Sequence, residues 1–289
     1  METQWPLVIF TLFVCLTCGL LASMSILAIK GQGRDLQMPA LITSFASLVI
    51  GGIGAFLHLE HWERIFNGFG HITSGITQEL IGCVALGIVI VAWFVMLRGD
   101  KALPKWLAIV TLVVAVGMVC ATAHSYLMPA RPAWGLALIA VYRGNACLLG
   151  PGALGGLAGL KKDEAVEKTA INLSFFGAIA QLVGDVIYVA ACATATIASY
   201  GHYLDPTQMT TAPVHVDSLL AVMTTGDAAM MFWLALACAV LALVCALVAK
   251  KKVGASKTLM IVAAIVAVAT SLLFRVLIYQ LGYSVFLLY

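Results

Sequence analysis

Residues 7–29 read LVIFTLFVCLTCGLLASMSILAI, a run without a single charge. An uninterrupted apolar stretch of about eighteen residues or more marks a helix that crosses a bilayer. Comparable runs recur at 40–58, 76–97, 106–127, 134–160, 169–198, 219–249 and 258–286. The pattern predicts an all-α, polytopic membrane protein, an eight-helix bundle occupying residues 1–289 as one integral membrane domain. None of the runs alternates with the period of a barrel strand. The stretch before the first run, METQWP, lacks a basic segment, so that run reads as a retained helix and not a cleaved signal peptide.

Composition points the same way. Of 289 residues, 62% are hydrophobic and 10% charged, with a mean hydropathy of +1.04. A soluble domain would carry roughly a quarter charged residues. The connections between runs are short and hold turn or charge signals: KGQGRD, RGDKALPK, MPARP, KKDEAVEK and KKKVGASK. Nothing resembles an interdomain linker, a low-complexity tail or an internal repeat.

Lysine and arginine set the orientation. Lys30, Arg34, Arg98, Lys101, Lys105, Lys161, Lys162, Lys168, Lys250, Lys251, Lys252 and Lys257 fall in alternate connections, while the opposite side holds Arg64 and Arg131. Both termini are therefore expected outside the cytoplasm, together with the long connection SYGHYLDPTQMTTAPVHVDS at 199–218. The net charge of +3 is mostly topological and does not point to nucleic acid.

Against this background a few polar residues stand out. Arg143, Asp185, Asp227 and Arg275 lie within the apolar runs, and Glu79 and His124 near their ends. An ionised side chain at mid-bilayer costs about 2.5–3.5 kcal/mol on insertion scales, so each needs a partner or a task. Arg143 falls about 13 Å below the outer end of its run, and the other three also fall in the outer half. The inner half has few ionisable groups, which favours a one-sided pocket over a path through the membrane. The plainer reading pairs Arg143, Arg275, Asp185 and Asp227 as structural intramembrane charges that neutralise one another.

The second polar concentration is FLHLEHWERIFNGFGH at 56–71. His58 ends the second run at the outer boundary, where a histidine most often only bonds headgroups or water. Beside Glu79 and outward arginines it also suits proton uptake from a two-electron, two-proton carrier. A haem would need histidines on facing helices deep in the bilayer, and His58 and His124 come nearest to that. The eight cysteines include Cys15-x-x-Cys18 inside the first run, but no second pair accompanies it, so packing explains them better than a metal. No phosphate-binding loop, dinucleotide fingerprint or hydrolase triad appears.

Taken in order, several segments resemble the DmsC-type membrane anchors of dimethyl sulfoxide reductase. WPLVIFT at Trp5–Thr11 resembles the opening of that family. The 56–71 stretch is similar to its His-Leu-Gly-x-Pro-x-Arg motif, keeping His58, Leu59 and Arg64 but with Glu60 and Trp62 in place of Gly and Pro. SGITQE at Ser74–Glu79 is similar to Ser-x-Leu-Ser-x-Glu, and RVLIY at Arg275–Tyr279 to the late Arg-x-Leu-x-Tyr. YLMPARPAW at Tyr126–Trp134 resembles the family's fourth-loop segment.

The resemblance implies a subunit of an oxidoreductase complex in the cytoplasmic membrane of a prokaryote. It would oxidise menaquinol in anaerobic respiration, passing electrons to an extracytoplasmic iron–sulfur subunit and on to a molybdopterin catalytic subunit. The chain would hold no haem or metal of its own. His58 matches the family's quinol-site histidine and is the expected catalytic residue, with Arg64, Glu79, Arg275 and Tyr279 as further quinol-binding residues. Two other classes stay open: a secondary transporter using the outer-half charges as a substrate site, and a haem-bearing quinol cytochrome.

Overall fold

The computed structural model describes residues 3–99, 102–161, 164–199, 215–251 and 256–283. Among them are eight helices of twenty residues or more: α1 (Trp5–Ile29), α2 (Arg34–His58), α3 (Gly75–Leu97), α4 (Lys105–His124), α5 (Ala137–Lys161), α6 (Glu164–Ala193), α8 (Ala229–Lys251) and α9 (Ser256–Gln280). A short α7 (Leu219–Thr224) precedes α8, and a 3-10 segment (Trp62–Gly70) links α2 to α3. Seven of the long helices are long and apolar enough to cross a membrane. The exception, α5, carries Arg143, Asn145, Pro151 and several glycines. Asn145, Pro151 and the glycines are tolerable because α5 packs against α1, α4, α6 and α9, so protein surrounds much of it.

The helices form for ordinary reasons. Pro6 occupies the first turn of α1, where its missing N–H leaves no bond unmade. The α1–α2 turn uses Gly31 and Gly33 at φ 67° and 68°, a backbone region that glycine enters without strain. Burial then separates centre from periphery. In α1, 72% of the most apolar window is buried inside the protein, against 22% in α3. Gly19 of α1 lies directly on Gly150 and Ala146 of α5, so close that a Cβ at Gly19 or Gly150 would collide with backbone. Gly177 of α6 meets the Cys147 carbonyl of α5 in the same way. In lipid, where apolar side chains gain little by meeting one another, such small residues let helices reach van der Waals contact.

Two of the expected runs need correction. The run 169–198 ends as a helix at Ala193, and Thr196–Ser199 (β1) pairs antiparallel with His215–Ser218 (β2). The β-branched Thr196, Ile197 and Val216 suit that ribbon, which gives partners to backbone groups beyond the helix end. The run 219–249 is two helices, broken by a turn at residues 225–228. Most of the connection 199–218, residues 200–214, lies outside the described residues.

Candidate functional site

The start of α3 meets the end of α4 through small residues: a Cβ on Gly75 would stand 2.8 Å from the Cα of Ser125. That approach buries Glu79, 9% exposed, with its carboxyl beside Ser125, whose hydroxyl donates to the Ala121 carbonyl at 3.0 Å. Next to Ser125, the Tyr126 hydroxyl lies 3.1 Å from that of Tyr279 near the end of α9. Glu79 is within electrostatic range of both tyrosines. The α4–α5 connection is fastened to the end of α9 by two further bonds: Trp134 Nε1 donates to the Ile278 carbonyl at 2.8 Å, and Arg131 Nη1 to the Gly282 carbonyl at 2.6 Å. The rings of Tyr126, Trp134 and Tyr279 meet edge to face, with centroids 5.2–6.3 Å apart, and the Arg131 guanidinium sits 4.6 Å over Trp134. One end of the bundle thus holds a buried carboxyl beside Ser125 and, from the next residue, a cluster of two tyrosines and a tryptophan.

Deeper in, Arg275 is fully buried and its Nε, Nη1 and Nη2 all donate. Nε donates to Thr11 Oγ1 at 2.8 Å and Nη2 to the Thr11 carbonyl at 2.9 Å. Nη1 donates to Asn145 Oδ1 at 2.7 Å, to the Ser271 carbonyl at 2.8 Å and to Ser271 Oγ. The Tyr142 ring lies 5.0 Å from the guanidinium carbon. From Asn145 the bonds continue: its Nδ2 donates to Gln181 Oε1 at 2.6 Å, and Gln181 Nε2 to Asp185 Oδ1 at 2.7 Å. The two ends dictate the orientation of both amides. A cation requires oxygen from Asn145, which turns its amide nitrogen to Gln181 and the nitrogen of Gln181 to the carboxylate. A chain of donors runs one way from Arg275 to Asp185 across α9, α5 and α6, with α1 holding the cationic end.

The expected site residues divide between these places. Glu79 and Tyr279 belong to the tyrosine-lined end. Arg275 directs its donors to Thr11, Asn145 and Ser271 and not to Glu79, and so anchors the buried chain. His58 is the last residue of α2 and is exposed; Arg64 is exposed in the 3-10 segment. Among the described residues no hydrogen bond joins His58 or Arg64 to Glu79, Arg275 or Tyr279.

The expected pairing of Arg143, Arg275, Asp185 and Asp227 is met only in the amide-bridged link from Arg275 to Asp185, and no direct ion pair joins any of the four among the described residues. Asp185 is tied to Gln181, whereas Arg143 is exposed and donates through Nε and Nη2 to the Cys120 sulfur at 3.3 and 3.1 Å. Asp227 is not inside a membrane helix at all: it stands exposed in the turn between α7 and α8, where Gly226 follows two threonines. Thr11, Ser125, Tyr126, Asn145, Gln181 and Ser271 were missed because attention to formal charge overlooks neutral polar groups. Asn145 and Gln181 carried a usable signal, since a side-chain amide deep in an apolar run must find partners. The cysteines are free thiols, and no cluster of three or more His, Cys, Asp or Glu able to hold a metal occurs among the described residues.

No curated protein matches the chain. A family model does, over residues 1–281, and by that match the chain belongs to the DMSO reductase anchor subunit (DmsC) family.

Proposed function

We propose that this membrane anchor is the menaquinol-oxidising subunit of a DMSO-reductase-type complex in a prokaryotic cytoplasmic membrane. On this reading it is a single domain of eight spans, α5 among them, with both termini outside. It passes electrons to an extracytoplasmic iron–sulfur subunit and through it to a molybdopterin subunit, in anaerobic respiration, with no haem or metal of its own. Reporter fusions at residues 102 and 164 should then report the cytoplasm, and those at 70 and 130 the outside; a cytoplasmic signal at 130 overturns the orientation.

Glu79 carries the reading: a carboxyl buried beside Ser125, on the helix that follows the His58 rim. Menaquinol releases two protons and two electrons as it becomes menaquinone. His58 takes one proton, since imidazole serves as a base near neutral pH. Glu79 takes the other, and Arg64 and Tyr279 orient the quinol oxygens. Both protons leave on the outside, so the anchor does not pump.

The test separates electron delivery from assembly. His58→Ala should abolish quinol-driven reduction, while a dye that reduces the clusters directly still supports turnover, because an exposed histidine contributes little packing. Wild-type quinol oxidation in His58→Ala would remove the proton-acceptor role.

A further inference from the structure

A groove of about 390 Å³ runs between α1, α4, α5 and α6. Along α1 it extends from Cys18 to Ile26, and along α5 from Arg143 to Pro151. Eight residues of helix make each wall about 12 Å long. Ala22, Val116, Ala146 and Phe176 are typical of the lining, whose polar members are Ser23 and Arg143. The Ser23 hydroxyl is already bonded to the Gly19 carbonyl at 2.8 Å. Arg143 therefore supplies the one charge facing the groove, six residues or about 9 Å into α5.

That guanidinium lacks a matching anion. Its acceptor is a thiol sulfur, which accepts hydrogen bonds weakly, and no carboxylate pairs with it among the described residues. A cation within the bilayer is costly unless it pairs or reaches the interface, and arginine's fork matches phosphate oxygens two at a time. We propose that the groove holds one acyl chain of an anionic phospholipid whose phosphate is bound by Arg143. The apolar wall accepts the chain, and the unmatched cation near the outer end of α5 selects a headgroup with no cation of its own. The groove shares no lining with the Glu79–Tyr279 cluster, so this site does not depend on the quinol reading.

The purified complex, exchanged into mixed micelles of phosphatidylglycerol and phosphatidylcholine, tests it by native mass spectrometry of retained lipid. The wild type should keep about one phosphatidylglycerol per chain, with at least a tenfold preference over phosphatidylcholine. Arg143→Gln should lose that preference, Arg143→Lys should keep part of it, and Ala22→Phe, which fills the groove, should lower retention of both lipids. A wild type that retains the two lipids equally overturns the proposal whatever the variants do. Unchanged preference in Arg143→Gln also overturns it, as does a quinone retained in place of phospholipid and lost in that variant.

Discussion

The interior and the rim of the bundle treat charge in opposite ways. Arg275 is sealed among Thr11, Asn145 and Ser271 and linked through two amides to Asp185, whereas His58 and Arg64 stand exposed where α2 gives way to α3. The interior chain fixes four helices together and leaves its donors no freedom. The rim offers side chains that a ligand or partner can still engage. Conformational readiness therefore belongs to the rim, and Glu79, buried beside Ser125 on the helix that follows the rim, lies between the two.

The interior should break most severely. Removing one member of a buried charged network costs about 3–5 kcal/mol, because the groups left behind remain buried without partners. Arg275→Ala strands the Thr11 acceptors and removes the cation that anchors the network to Asp185, so the protein should fail to accumulate in membranes. Normal yield and an unchanged thermal midpoint in detergent would mean that the network contributes little to the fold.

Glu79→Gln should separate chemistry from packing. The amide keeps the size and the place beside Ser125 but cannot take a proton. Loss of a positioned base typically costs about 10²–10⁴-fold, so quinol-driven turnover should fall about 100-fold with yield and dye-driven turnover intact. A comparable fall in yield would instead assign Glu79 to the structural interior.

The long helices were readable because a bilayer demands long apolar runs, and their ends were found within a few residues in most cases. Asp227 was misplaced because apolar sequence flanks it on both sides; the breaking signal was local, Thr224-Thr225-Gly226. Arg275 and Asp185 were recognised as buried charges, yet their connection was not legible. It passes through Asn145 and Gln181, which are neutral, and joins residues as far apart as 130 positions, a pairing fixed by packing of α9 on α5 and α5 on α6. Glu79 was found through its motif, whereas its contact with Ser125 depends on how closely Gly75 lets α3 approach α4.

The smallest effect concerns the hydroxyl pair of Tyr126 and Tyr279. Both rings are buried and their edge-to-face contacts survive a change to phenylalanine, so only the 3.1 Å bond is lost. A single hydrogen bond contributes about 0.5–1.5 kcal/mol net. Tyr126→Phe and Tyr279→Phe should each destabilise by that amount, and the double variant by little more, since both singles remove the same bond. Thermal or denaturant unfolding of the purified complex measures all three. Quinol-driven turnover adds a second readout that packing alone does not move. If Tyr126→Phe slows it more than tenfold at unchanged stability, the hydroxyl pair carries a proton away from Glu79, and the tyrosine wall belongs with the functional rim and not with the interior.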